Sequence, residues 1–395
     1  MKKYLFIVLI FICLVFPECR IAAGQWDRLE SLIGPQDSVL IADAKGKVLF
    51  SKHGNIQRMP ASTLKTFTAL MARHYLGDDF RFVTEFWMDE KENLIIKGYG
   101  DPLLISEVLP QIAKSVHEKT ERFHDLLLDD SHFEPVTIPG VTSTLNPYDS
   151  PIGALCVNFN TVDFRYVNGE YVSAEPQTPL LTFVLDRVRN SGMKQDRIVL
   201  SAENKETLLY AGHMFRYFLK KDGIKSDGDI KPGIVHTDKD RLIYRHLSDF
   251  SLDQVIIRLM EYSNNFIANQ LFLTVGIKAY GPPGNLEKGR KAAAVYAKNI
   301  LGIEGIEIDE GSGISRENRI SPEQMLKVLQ KFEPWRHLMR HEGRQFYKTG
   351  SLTGVKCRAG YMESQDGSLY RFVVMINSAG KTTDAVMKEI QRILP

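Results

Sequence analysis

Residues 345–376 read QFYKTGSLTGVKCRAGYMESQDGSLYRFVVMI. Three runs in this stretch, 345–349, 355–362 and 369–376, alternate and are bounded as strands are, which predicts an antiparallel sheet near the end of the chain. A helix over 383–393 follows. At the other end, 38–43 and 48–51 read as a hairpin turned by Lys45-Gly46. Helical periodicity runs through 252–275, 286–301 and 322–332. Strands at both ends with helices between predict one domain built from both ends of the chain. From about Phe80 to His236 the pattern changes. Short strands are expected at 82–87, 94–97, 126–128, 157–160 and 164–167, with helices at 103–118 and 180–189. The expected fold class is therefore α+β: an antiparallel sheet flanked by helices, with a large inserted α/β domain. Residues 24–80 and 237–395 form the host and 81–236 the insertion, which is tolerable where termini lie close together.

The bulk numbers agree with this division. A chain of 395 residues suits two domains, and 44% hydrophobic with 25% charged residues is globular composition. A net charge of +2 gives no basic stripe of the kind nucleic acid requires. Lys2 and Lys3 precede an apolar run over 4–16, and Ala22, Ala23 and Gly24 follow it. The run is short for a membrane span and fits a signal peptide over 1–23. Export to the periplasm or cell envelope is expected, with no transmembrane segment after cleavage. Cys156 and Cys357 then remain; they either pair or are buried small hydrophobes. No Cys/His cluster has metal-site spacing, and no metal or cofactor is expected.

Three short motifs carry the chemistry: Ser62-Thr63-Leu64-Lys65, Ser263-Asn264-Asn265 and Lys348-Thr349-Gly350. Alone, each is cheap. A Ser followed three later by Lys recurs at Ser191–Lys194 and Ser378–Lys381. The order and placement of the set are what count. Ser62 follows Pro60-Ala61 at the start of a helix, so Ser62 and Lys65 share a face. A serine hydroxyl is a poor nucleophile and needs an adjacent base, which a neutral Lys65 amine supplies. Ser263 offers a proton relay, and Asn265 offers both donor and acceptor to a substrate amide. Gly350 lets a ligand lie close to a strand edge. Lys348, Thr349 and Ser351 suit a carboxylate, and the backbone N–H groups of Ser62 and Ser351 suit an oxyanion. The bland alternatives are an N-cap at Ser62, a helix junction at Ser263-Asn264-Asn265 and a solvated strand end at Lys348.

As a set, the motifs resemble those of serine penicillin-binding proteins and β-lactamases. Flanking residues narrow the resemblance to the low-molecular-mass class C D-Ala-D-Ala carboxypeptidases, peptidase family S13. They are Gly100-Asp101-Pro102-Leu103, Asp129-Asp130-Ser131-His132-Phe133, Ala154-Leu155 with Asn158 and Asn160, Glu310-Gly311-Ser312-Gly313-Ile314-Ser315-Arg316, and Ala359-Gly360-Tyr361. The chain departs from the family in carrying Glu310 where Asp is usual, and in a short segment between Pro322 and Lys348. The resemblance implies the penicillin-binding-protein fold and a carboxypeptidase, with D,D-endopeptidase activity as a further capacity. Its implied partners are peptidoglycan stem peptides ending in D-Ala-D-Ala, and β-lactam antibiotics that acylate Ser62. The competing readings are a β-lactamase and a non-catalytic peptidoglycan-binding or β-lactam-sensing protein on the same fold. Against the first, 263–348 holds no Glu-x-x-Leu-Asn; against the second, all three motifs are intact.

Overall fold

The computed structural model describes residues 24–142 and 144–394. The expected signal peptide, 1–23, lies outside them. The chain separates into two compact units: residues up to Thr63 together with those from Arg319 on, and Leu64–Asn318.

The first unit is built on a six-stranded antiparallel sheet. Its strands are β1 (Ser38–Ala42), β2 (Val48–Lys52), β3 (Arg340–Glu342), β4 (Gln345–Leu352), β5 (Val355–Glu363) and β6 (Leu369–Ile376), in the order β3-β4-β5-β6-β1-β2. The continuous apolar run of β6 is explained by its central place, since Arg371–Ile376 are all buried. Leu40 lies opposite Val373 and Ser38 opposite Met375. Helices Asp27–Leu32 and Asp384–Ile393 close one side through Leu29, Val39, Ile41, Phe372, Val374 and Ile390. Helix Pro322–Phe332 packs on β6 and β1. It starts cleanly because Ser321 and Gln324 form a reciprocal capping box ahead of Pro322.

The second unit contains a helical group and a sheet-bearing region. Helix Asn265–Tyr280 is buried from Asn265 to Gly276, as an all-round apolar helix must be. It packs against helices Lys65–Leu76 and Leu286–Leu301. The sheet-bearing region has a mixed five-stranded sheet in the order Ile230–Pro232, Leu126–Asp129, Leu94–Gly98, Val83–Met88, Arg241–Leu247. A three-stranded sheet joins Thr161–Val167 to Glu170–Ser173 and Gln195–Val199. One core cluster, running from Phe86 to Ile243, gathers these sheets with helices Leu109–His117 and Glu206–Lys221.

Several element boundaries differ from the sequence reading for identifiable reasons. The helix expected over 103–118 is confined to Leu109–His117. Asp101 takes the Leu103 N–H at 2.9 Å and Asn158 takes the Ser106 N–H at 2.8 Å, which holds the preceding turn open. The strand expected at 157–160 is instead a left-handed turn, with φ of 51°, 59° and 55° at Asn158, Phe159 and Asn160. Cys156 and Cys357 are both buried and free. Among the described residues no helix is long and apolar enough to cross a membrane.

Candidate active site

In the first unit, Ser62 lies in a 3-10 turn, Ala61–Leu64. The turn is fixed from behind: both the backbone N–H and the hydroxyl of Thr63 donate to the Pro60 carbonyl, at 3.3 and 2.7 Å. Ala61 is left-handed at φ 45°, a costly conformation for a residue with a Cβ and one that clusters at functional sites. Strand β4 runs against this turn. A Cβ on Gly350 would lie 2.8 Å from both the Pro60 oxygen and the Ser62 nitrogen. Only a glycine allows the two backbones to come this close. The structure thus brings Ser62 together with Lys348, Thr349, Gly350 and Ser351. Thr349 and Ser351 are exposed, whereas Lys348 is 3% exposed. The Lys348 amine donates to the Thr349 carbonyl at 2.9 Å. Burial, with a smaller contribution from the Arg340 cation, lowers its pKa to about 8.

In the second unit, Lys65 opens helix Lys65–Leu76 and is fully buried. Its amine donates to Asn265 Oδ1 at 2.7 Å and to the Ser312 carbonyl at 2.8 Å. A buried amine held by two oriented acceptors has a defined position. Asn265 was expected to face a substrate amide. Its carboxamide is also engaged at both ends by protein, Nδ2 donating to the Tyr148 carbonyl at 3.1 Å, which leaves it one further N–H and one further lone pair. Ser263 sits in the link between helices Leu252–Glu261 and Asn265–Tyr280, left-handed at φ 51°. Its neighbour Asn264 caps the second helix, accepting from the Ile267 N–H at 3.0 Å. The junction chemistry and the motif chemistry therefore belong to successive residues.

The residue that organises this half was not assigned a role from the sequence. Glu310 is wholly buried. One carboxylate oxygen accepts from the Ser312 N–H at 2.7 Å, the Ser312 hydroxyl at 2.6 Å and Asn269 Nδ2 at 3.0 Å. The other accepts from the Gly313 N–H at 2.6 Å and Asn318 Nδ2 at 2.8 Å. Glu310 so fixes the 311–315 loop, which turns the Ser312 carbonyl to Lys65 and the Gly311 carbonyl to the Thr68 hydroxyl at 2.6 Å. One signal for it was available: Asn269-Gln270 interrupts an otherwise apolar helix, and Asn269 is one of the Glu310 donors. Asp101 and Asp129 brace turns, the latter accepting from the Ser131 and Val235 N–H groups at 2.9 Å. No cluster of three or more His, Cys, Asp or Glu suited to a metal occurs among the described residues.

The sequence matches the model of the D-Ala-D-Ala carboxypeptidase 3 (S13) family over residues 26–198, 191–340 and 337–394. It is 28% identical to the D-alanyl-D-alanine carboxypeptidase DacB of Haemophilus influenzae, over 89% of this chain and 88% of that one. It is 26% identical to the D-alanyl-D-alanine carboxypeptidase of Actinomadura sp. (strain R39), over 91% and 81%. The fold matches the crystal structure of penicillin binding protein 4 (dacB) from Haemophilus influenzae with a TM-score of 0.73, at 21% identity, over 94% of this chain and 97% of that chain.

Proposed function

This chain belongs to the D-Ala-D-Ala carboxypeptidase 3 (S13) family, and from that premise we propose that it hydrolyses peptidoglycan stem peptides ending in D-Ala-D-Ala through an acyl-enzyme on Ser62. The observation that carries the reading is the Lys65 amine, held by Asn265 from 200 positions away and by the Ser312 carbonyl. A solvated first-turn lysine has no use for such a mount; a proton acceptor beside a nucleophile requires one.

The proposed steps are these. The Ser62 hydroxyl adds to the carbonyl carbon of the penultimate D-Ala and passes its proton to the Lys65 amine. The backbone N–H groups of Ser62 and Ser351 receive the oxyanion. The C–N bond then breaks, and Ser263 relays a proton from Lys65 to the departing D-Ala amine. Water adds to the resulting ester and returns Ser62 with the shortened peptide as its acid. Lys348, Thr349 and Ser351 hold the carboxylate of the leaving D-Ala, with Gly350 allowing close approach. Asn265 acts on this reading as a positioning residue for Lys65. A β-lactam follows the first half of the path and stays as an ester. The same chemistry cleaves a D,D-crosslink when the leaving amine belongs to a second stem peptide. The leader-like pattern over 1–23 supports work in the cell envelope.

Intact-protein mass after mixing with benzylpenicillin tests this directly. One adduct per wild-type chain and none on Ser62→Ala is the expected result. An adduct of equal extent on Ser62→Ala would remove Ser62 from the role.

A further inference from the structure

The Lys65 amine has two oxygen acceptors, Asn265 Oδ1 and the Ser312 carbonyl. Neither is rigid on its own account. The last torsion of an asparagine side chain is soft and roughly two-fold, so a carboxamide held at one end is free to turn. Asn265 is held at its other end by the Tyr148 carbonyl, which takes Nδ2 at 3.1 Å. Turning the amide over would set two oxygens face to face there. The direction of Asn265 Oδ1 therefore depends on where Tyr148 carries its carbonyl.

That carbonyl belongs to the 3-10 turn Pro147–Asp149. Asn146 opens the turn, its side chain accepting from the Tyr148 N–H at 2.9 Å. Asp149 closes it. This residue is 8% exposed, and its Oδ2 accepts from the Thr144 N–H at 3.1 Å, the Thr144 hydroxyl at 2.7 Å and the Thr142 hydroxyl at 3.1 Å. Burying a carboxylate is costly unless donors surround it in this way. The turn is rooted in the three-stranded sheet, where the Val199 N–H donates to the Leu145 carbonyl at 3.1 Å. Upstream, Gly140 lies against the loop that carries the other acceptor. It is left-handed at φ 87°, and a Cβ there would lie 2.7 Å from the Ile314 oxygen. Gly140 and the Pro147–Asp149 turn thus back both oxygens that hold the Lys65 amine.

We propose that Asp149 is a positioning residue for Lys65: its carboxylate fixes the turn, the turn fixes the Tyr148 carbonyl, and that carbonyl aims the Asn265 oxygen at the amine. The inference rests on the reading above, in which Lys65 takes the Ser62 proton. Asp149 spends its hydrogen bonds on its own loop and acts on the reaction through Asn265. Loosening it costs the alignment of the base, so the chemical step slows while binding is spared. An asparagine at this position keeps one oxygen for the same donors, so shape is required there and charge is not.

The test is stopped-flow acylation by benzylpenicillin, resolved into affinity and rate, on the wild type, Asp149→Ala and Asp149→Asn. The expected result is an acylation step about tenfold slower in Asp149→Ala at unchanged affinity, with Asp149→Asn recovering most of the rate. An Asp149→Ala rate equal to wild type would overturn the proposal. So would a loss carried wholly or partly by affinity, or equal slowing in Asp149→Asn. Each of these leaves the Ser62 acyl-enzyme intact, because the wild type still forms it. A wild type that benzylpenicillin does not acylate overturns the underlying reading and the role of Asp149 with it. Circular dichroism certifies folding. If Asp149→Ala is unfolded, Thr144→Val, which removes the hydroxyl donor, faces the same comparison and the same outcomes, with Thr144→Ser as its conservative partner.

Discussion

Lys348 is a cation that the fold has made expensive to keep charged. Burial lowers its pKa from 10.5 to about 8, with help from the Arg340 cation. If the ammonium is what receives the substrate carboxylate, binding weakens as pH rises through about 8. At pH 9 about a tenth of the enzyme retains the charge, so KM for a D-Ala-D-Ala pentapeptide is expected to be about tenfold higher than at pH 7. A KM flat between pH 7 and pH 9 would remove Lys348 from carboxylate recognition. The same residue acts on stability in the opposite direction. Between about pH 8 and 10.5 the unfolded chain holds a proton that the folded chain has shed, so this group alone makes stability rise with pH there.

The loop after Glu310 shows how a short element inherits its precision from one carboxylate. Both Glu310 oxygens are spent on donors from the loop and from Asn269 and Asn318. Glu310→Gln turns one acceptor into a donor facing donors. We expect a loss of about 3 kcal/mol in chemical denaturation. Stopped-flow acylation is expected to show the chemical step slowed at least tenfold at unchanged benzylpenicillin affinity, with Glu310→Asp recovering much of the rate. Equal losses in Glu310→Gln and Glu310→Asp, with affinity falling too, would mean the loop only supports the fold. Element by element, the sheet was the most legible part of the sequence. The last strand is expected and found at 369–376, and the strand over 345–349 extends to Leu352 because Gly350 and Ser351 continue the ladder to Cys357 and Lys356. Helix Glu206–Lys221 was not anticipated. It is preceded by left-handed Asn204 and Lys205 and has no side-chain cap, so its start lacks the usual signal. The Glu310 loop is only partly legible: its bonds to Ser312 and Gly313 are local, but those to Asn269, Lys65 and Thr68 depend on tertiary placement and are hinted at only by the polar Asn269-Gln270 step.

At the scale of the whole molecule, the core cluster confined to 86–243 supports the proposal that 81–236 is an inserted module with its own cooperative unfolding. Phe215 is 1% exposed, in edge-to-face contact with Phe86 at 5.7 Å. Phe215→Ala is expected to cost the module about 3–5 kcal/mol. Calorimetry should show one transition moved down and another unmoved, with the benzylpenicillin acylation rate at 25 °C preserved; a single transition that moves as a whole would deny the module its independence. The free cysteines give this division a chemical counterpart. Cys156 belongs to one compact unit and Cys357 to the other. Burial raises both thiols, Cys357 to about 12, which suppresses the thiolate that any exchange reaction needs. Among the described residues, each unit so carries one silent nucleophile that is unmasked when that unit opens. Cys156 and Cys357 are shielded from mispairing by the packing around them, and the moment at which each of these sulfurs becomes modifiable is a clock set by the unit that holds it.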